Sequence, residues 1–173
     1  MADRPRRSLG LAAALALAAL VVSGCGGSSA KATGPSRPGA RTTQAQFVAR
    51  ASSICQGVRT QEQPLQTREA SLKRLPVAKA DAAFVSLARQ AASIARTAGK
   101  RLRALARPAA DAHEIEDLLQ AYSAEATDAQ NIANAAVNQE NKLGEAASIA
   151  LARSIALNSA SANRLGMGDC FGT

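Results

Sequence analysis

Hydrophobic residues recur at steps of three and four from residue 47 onward, the spacing that lines one face of an α-helix. The first stripe consists of Phe47, Ala51, Ile54, Cys55 and Val58. Pro64 predicts the end of this helix, because proline has no amide hydrogen to donate inside a helix. The crossover that follows leaves room for one short extra helix between Thr67 and Leu75.

A second and longer stripe begins at Val77 and ends before Pro108, which terminates the helix. Its members are Val77, Ala80, Phe84, Leu87, Ala91, Ile94 and Ala98. The pattern slips by one position at Leu102, close to Gly99, a residue that weakens a helix interior. The slip predicts a bend or a change of packing partner at this point.

Two further helices complete the pattern. Asp111 followed by Glu114 predicts an N-terminal cap for the third helix. A fourth helix from about Glu145 to Arg164 is apolar on several faces and is expected to be the most buried, with Gly166 placed to end it. The third stripe consists of Ile115, Leu119, Tyr122, Ala126, Ala129, Ala133 and Ala136. The predicted fold is therefore an all-α, up-down four-helix-type bundle over residues 44–173, with the short extra helix in its first crossover.

The first 24 residues follow the pattern of an export signal, in which three arginines precede an apolar segment too short to span a bilayer comfortably. The tetrapeptide Val22-Ser23-Gly24-Cys25 resembles the bacterial lipobox, whose cysteine receives a diacylglyceryl group before signal peptidase cuts behind the preceding residue. The resemblance implies that Cys25 is the lipidated first residue of the mature protein. The expected location is the extracytoplasmic face of the cell membrane.

Residues 26–43 are rich in Gly, Ser and Pro and almost lack apolar side chains, which is typical of a disordered tether. The predicted organisation is a signal peptide at 1–24, the lipidated cysteine and tether at 25–43, and a helical domain at 44–173. Arg6 and Arg7 leave twin-arginine export open beside the general secretory route.

The chain contains three cysteines, an odd number for an exported protein. If lipid occupies Cys25, then Cys55 and Cys170 remain to form a disulfide in an oxidising compartment. Closing so long a loop stabilises a fold by roughly 4 to 5 kcal/mol in the chain-entropy treatment. Two buried, reduced cysteines are the alternative, since cysteine packs well as a small apolar residue.

The formal net charge of +8 is concentrated near the N-terminus. Six of the 21 basic residues and one of the 13 acidic residues precede residue 45, so the helical domain carries only +3. Aromatic residues make up 2% of the chain, and no basic stripe is interleaved with them, so nucleic acid is not an expected partner. The expected partners are membrane lipid, reached through acylated Cys25, and an envelope protein or wall polymer.

Candidate chemistry is sparse. His113 is the only histidine, and the sequence contains no metal-ligand motif and no GxSxG nucleophile motif, so we assign no catalytic residue, cofactor or metal. Two polar groups are candidates for partner binding. They are the asparagine stripe Asn131, Asn134, Asn138 and Asn141, and the basic end of the second helix at Lys100, Arg101 and Arg103.

The whole chain resembles the small, Ala- and Arg-rich lipoproteins of high-GC Gram-positive bacteria, in which a lipobox and a low-complexity tether precede a helical domain of no assigned activity. Besides the lipobox, the segments FVARASSIC, LRALARPAAD and LGMGDC carry the resemblance. It implies a location and the roles of the cysteines. We expect a non-enzymatic binding or scaffolding module, with two alternatives: a carrier of an apolar small molecule held near Gly99, and a hydrolase that uses His113.

Overall fold

A computed structural model describes residues 42–168, which form four α-helices joined by short connections. The helices are α1 (Gln44–Leu72), α2 (Val77–Arg103), α3 (Ala112–Asn138) and α4 (Asn141–Arg164), with one 3₁₀ turn at Ala109–Asp111. The prediction of an all-α, four-helix domain is confirmed, and this part of the chain contains no strand. The signal peptide, Cys25, nearly all of the tether and Cys170 lie outside the described residues. Within residues 42–168, no helix is both long enough and apolar enough to cross a bilayer.

The predicted break at Pro64 and the short extra helix in the first crossover are wrong. Pro64 lies inside α1, which continues without interruption to Leu72. Proline removes the hydrogen bond that its amide would have donated to the carbonyl oxygen of Thr60, four residues earlier, and its ring crowds that carbonyl. The packing of α1 against α2 offsets this cost, because most helix stability in proteins comes from tertiary contacts.

Consecutive helices run antiparallel, as the contacts between α3 and α4 illustrate. Arg164, at the end of α4, pairs with Asp117 near the start of α3 at 3.2 Å. Earlier in α4, the hydroxyl of Ser154 donates to Asp128, which is later in α3, at 3.3 Å. The start of α1, the end of α2, the start of α3 and the end of α4 therefore meet at one end of the bundle.

The helix ends are only partly those expected. Asp111 makes no capping hydrogen bond, because a 3₁₀ turn occupies the entry to α3. A capping box forms instead at the start of α1, where Thr43 and Gln46 bond reciprocally through side chain and backbone. Gly166 ends α4 as predicted, with φ +78, and the next amide, that of Met167, donates back into the last turn at 2.8 Å.

The core is divided into two halves along the bundle. The closed half contains the start of α1, the end of α2, the start of α3 and the end of α4. α2 and α3 lie close together at Gly99, where a Cβ would lie 3.5 Å from Cβ of Tyr122, an ordinary contact distance. The slip in the α2 pattern thus marks a close contact inside a continuous helix. The large buried side chains are Phe47, Leu102, Ile115, Leu118, Leu119, Tyr122, Leu165 and Met167.

The open half contains the other ends of the four helices, and it buries smaller residues. Alanines bring α2, α3 and α4 close together, whereas α1 packs mainly against α2 and buries no residue after Cys55. The buried residues of this half are Ala92, Ala129, Ile132, Ala147 and Leu151. Space therefore remains between α1 and the other three helices.

The prediction that α4 is the most buried helix is wrong. Ile149 and Leu157 are 50% and 62% exposed, because apolar residues on several faces cannot all point into one core. α4 buries Ser154, Asn158 and Ser161 instead, and α3 contributes the largest set of buried residues.

Candidate functional site

The open half contains an apolar cavity of about 80 Å³ bounded by all four helices. Its apolar walls come from Leu65 on α1, from Phe84, Leu87, Ala88 and Ala91 on α2, from Ala129 and Ile132 on α3, and from Leu151 and Ile155 on α4. The remaining lining residues are polar: Glu62, Gln66 and Glu69 on α1, and Glu125 on α3. Such a concave apolar surface with a few polar groups is the usual form of a small-molecule site.

The sequence of α1 explains why the cavity forms where it does. Glu62, Leu65, Gln66 and Glu69 follow steps of three, one and three, so they share one helical face. That face offers a single leucine to the apolar wall opposite. The alanines of α2 and α3 are too short to fill the gap, and a cavity is left.

Two glutamates on α1 have perturbed acidity. Burial raises the pKa of Glu62 from 4.5 to about 7, and the nearby negative charge of Glu125 adds to the increase. Burial also raises the pKa of Glu69. Near pH 7, Glu62 is therefore divided between its neutral and its charged form.

Glu125 faces the cavity from α3. Burial raises its pKa, a hydrogen bond from Asn158 opposes the increase, and the charge of Asp128 adds to it. Nδ2 of Asn158 donates to Oε2 of Glu125 at 2.9 Å. Asn158 is itself 1% exposed, and its Oδ1 accepts no hydrogen bond from the described residues. A buried acceptor without a donor is costly, so this atom favours a hydrogen-bond donor beside it.

The charge of the lining has one sign. Among the described residues that line the cavity, three are glutamates, and none is a lysine or an arginine. The cavity therefore combines an apolar interior with a carboxylate-rich edge, an arrangement that suits a ligand with an apolar body and a positive group.

A second hollow, of about 140 Å³, lies between α2 and α3 beside Gly99. Its lining is mixed: Ala95, Gly99, Tyr122 and Ala126 are joined by Ser123 and Thr127 of α3 and by three bases of α2, Arg96, Lys100 and Arg103. The three bases suit an anionic group. An apolar molecule held near Gly99 stays a prediction.

The residues predicted for partner binding are all exposed, but the structure does not bring them together. Lys100 and Arg103 line the basic hollow, whereas Arg101 is not part of its lining. The asparagines lie on the outer surface, where Asn134 accepts a hydrogen bond from Gln130 at 3.1 Å. Neither cavity includes any member of this asparagine stripe: Asn131, Asn134, Asn138, Asn141. Their role in partner binding stays a prediction.

His113 does not take part in either cavity. Its side chain is 85% exposed, and Nε2 lies 4.0 Å from Oδ2 of Asp117, which is longer than a hydrogen bond. A hydrolase would need His113 within hydrogen-bond reach of both an acid and a hydroxyl group, so the hydrolase alternative stays a prediction. Within residues 42–168, no three His, Cys, Asp or Glu side chains are grouped so as to hold a metal ion.

Cys55 is buried in the closed half, with its Sγ 3.7 Å from the hydroxyl of Tyr122. It belongs to the same core cluster as Met167, three residues before Cys170 in the sequence. Because Cys170 lies outside the described residues, the disulfide stays a prediction.

Sequence reasoning missed Glu62, Glu125 and Asn158, although a signal for two of them exists. The α1 stripe continues from Val58 at steps of four and three through Glu62 and Leu65, which places Glu62 on the inner face. In α4, Asn158 stands in the buried series 151, 154, 158 and 161. The site was missed because a polar residue was taken to mark the end of an apolar stripe, whereas Glu62 and Asn158 lie within the inward-facing stripes of their helices.

The chain was also compared with known proteins. No protein-family model, curated protein or solved structure matches it.

Proposed function

We propose that the protein is a membrane-anchored, non-enzymatic binding module of the cell envelope, and that the cavity of the open half is its ligand site. The observation that supports this function is the convergence of apolar side chains from all four helices on one cavity with carboxylates at its edge. A ligand that covered this surface would gain about 0.8 kcal/mol for each methylene removed from water.

In such a module, the closed half would provide stability and the open half would bind the ligand. The closed half supplies a packed core that is independent of the cavity. The open half contributes fewer large buried side chains, so α1 can adjust around a ligand without disturbing that core.

Anchoring is part of the proposal and rests on the sequence. The lipobox-like Cys25 and the predicted tether precede a domain whose first helix begins with the capping box at Thr43. The proposed disulfide between Cys55 and Cys170 is supported by the burial of Cys55 in the cluster that also contains Met167.

The ligand site is tested with a neutral dye that fluoresces in apolar surroundings, such as Nile red. Ala91→Leu fills the cavity, and Ala146→Leu makes the same change on the exposed surface of α4. We expect dye binding to fall at least tenfold for Ala91→Leu and to stay unchanged for Ala146→Leu. Equal binding by both variants and the wild type would contradict the assignment of the cavity.

The anchor is tested by fractionation of intact cells. Wild-type protein should partition into the detergent phase, and Cys25→Ala protein should remain in the aqueous phase. Detergent partitioning of Cys25→Ala equal to that of the wild type would overturn the localisation.

A second candidate function is contact with an anionic membrane surface through the basic hollow. The hollow lies in the closed half, at the same end of the bundle as the start of α1, where the tether joins the domain. A lipid anchor at Cys25 would hold this end nearest the headgroups, where each basic residue contributes about 1 kcal/mol.

Vesicle sedimentation separates this second function from the first. The soluble Cys25→Ser chain should bind vesicles of phosphatidylglycerol and not vesicles of phosphatidylcholine. Lys100→Gln combined with Arg103→Gln should weaken that binding several-fold, whereas Lys142→Gln, a change in the first turn of α4, should leave it intact. Equal binding to vesicles of phosphatidylglycerol and of phosphatidylcholine would rule out the second function.

A further inference from the structure

We propose that the ligand of the open-half cavity is a cationic amphiphile, with an ammonium group held at the glutamate edge and an apolar body lying against the wall formed by α2, α3 and α4. This inference rests on the proposed function, because it specifies the ligand class of the same cavity. Three observations support it: the charge of the lining, a buried acceptor without a donor, and the shape of the apolar wall.

The first observation is electrostatic complementarity. Glu62 and Glu69 face the cavity from α1, Glu125 faces it from α3, and Asp128 lies behind Glu125. The lining residues of α2 and α4 carry no charge. Because the charge of Glu125 opposes the ionisation of Glu62, a positive group between these two carboxylates would relieve both that repulsion and the cost of burial.

The second observation concerns Asn158. Its amide nitrogen is committed to Glu125 at 2.9 Å, and its Oδ1 is buried without a hydrogen bond from the described residues. Asn158 is not itself part of the cavity lining, but Glu125, to which it is bonded, and Ile155, one turn earlier in α4, both are. An ammonium group at Glu125 has several N–H donors, and Asn158 adds an acceptor next to that glutamate.

The third observation is the apolar wall, which selects against a small hydrophilic cation. Phe84, Leu87 and Ile155 present hydrocarbon surface where a simple ion would lose its hydration without compensation. The hydrocarbon part of an amphiphile would find apolar contacts along this wall. The aromatic face of Phe84 adds a surface that attracts cations.

An anionic amphiphile of the same length is excluded by the same lining. A fatty acid would add a fourth carboxylate to a cavity that three glutamates already line. A neutral alcohol would bury the glutamates further without neutralising them. The expected order of affinity is therefore amine, then alcohol, then acid.

The test uses three probes that share one chain length: octylammonium, octanol and octanoate. Each is titrated calorimetrically into the Cys25→Ser chain at pH 7.5, which keeps every residue of the helical domain and avoids detergent. We expect octylammonium to bind at least tenfold more tightly than octanol, since hydrogen bonds to charged groups are the stronger class. Octanoate should bind most weakly.

Isosteric variants identify the groups responsible. Glu62→Gln and Glu125→Gln should each reduce octylammonium affinity about tenfold and leave octanol affinity within a factor of two. Glu145→Gln makes the same change at an exposed position of α4 and should alter neither. Circular dichroism of each variant verifies that the helices are retained.

The outcomes distinguish this inference from the function on which it rests. Equal affinity for octylammonium and octanol, or octylammonium binding unchanged in both cavity variants, would overturn the cationic ligand and leave an apolar site. No binding of any probe would overturn the ligand site itself.

Discussion

The closed and open halves of the bundle are built from the same four helices, yet only one of them is filled. In the closed half, Phe47 on α1 and Tyr122 on α3 occupy the centre between the helices. In the open half, α1 offers Glu62, Leu65 and Glu69 to a wall in which three alanines stand among five larger apolar residues. The comparison shows that side-chain size and polarity on a single helix decide whether a bundle closes.

Alanine acts differently in the two halves because it packs only with close neighbours. Small residues let α3 pack closely against both α2 and α4. They cannot reach a helix that stands farther away. Where α1 supplies Phe47, the gap is filled, and where it supplies carboxylates, the gap remains as a cavity.

The largest expected effect is a difference between the halves in how much one leucine side chain contributes to the free energy of unfolding. Leu119→Ala removes a buried leucine of the closed half and should lower the free energy of unfolding by about 2 to 5 kcal/mol. Leu65→Ala makes the same change at the cavity edge, where the side chain is half-buried, and should cost less than about 1 kcal/mol.

Urea denaturation followed by circular dichroism measures both variants against the wild type. Comparable losses for Leu119→Ala and Leu65→Ala would mean that the open half contributes as much packing as the closed half. In that case the division of the core would have to be abandoned.

A smaller effect is expected at Pro64, which lies between the two halves of α1. Pro64→Ala restores a backbone donor and removes the ring, so it should stabilise the protein by roughly 1 to 3 kcal/mol. Gln63→Ala changes the preceding exposed residue without altering backbone hydrogen bonding and serves as the control. A loss of stability in Pro64→Ala would indicate that α1 needs the proline in order to dock.

The helix count and most of the boundaries were predictable because apolar periodicity and glycine positions reflect local physics. Gly166 ends α4 where expected, since it takes the left-handed conformation that other residues avoid. Pro64 was misinterpreted because its local cost is offset by tertiary packing that the sequence does not display.

The candidate site was less predictable than the fold, because it depends on which helices are brought together. Glu62 and Glu125 are 63 positions apart in numbering, and neither belongs to a recognisable motif. Their proximity results from the antiparallel order and from the distance between α1 and α3. Lys100 and Arg103, which the sequence analysis grouped with Arg101, both line the basic hollow, because residues three positions apart share one helical face.

The raised pKa of Glu62 makes the stability of the protein depend on pH, which gives a further test of the difference between the two halves. Its pKa is about 7 in the folded state and 4.5 in the unfolded reference, so the folded state binds this proton more tightly. The resulting stability is present below about pH 4.5 and is lost as the pH rises through 7.

Glu62→Gln should therefore match the wild type at pH 4 and exceed its stability at pH 8. The expected gain is on the order of 1 kcal/mol, because solvent at the cavity edge screens part of the effect. Thermal unfolding at both pH values measures it, and Glu145→Gln should show no such pH dependence. A wild-type stability that rises from pH 5 to pH 8 through Glu62 would reverse the assigned direction.

The smallest expected effect tests whether the cavity of the open half is due to α1 alone. Gly99 and Gly144 are matched glycines, one in each half, and a Cβ at either would lie 3.5 Å from a Cβ of α3, on Tyr122 and on Ala135 respectively. Each Gly→Ala change therefore adds an ordinary contact and improves helix propensity, so Gly99→Ala should stabilise by about 0.5 to 1 kcal/mol. Gly144→Ala, in the first turn of α4, should stabilise by somewhat less. If Gly144→Ala were destabilising while Gly99→Ala was not, the packing of α3 with α4 would also differ between the halves. Gains in both variants would instead locate the difference between the halves in the face of α1.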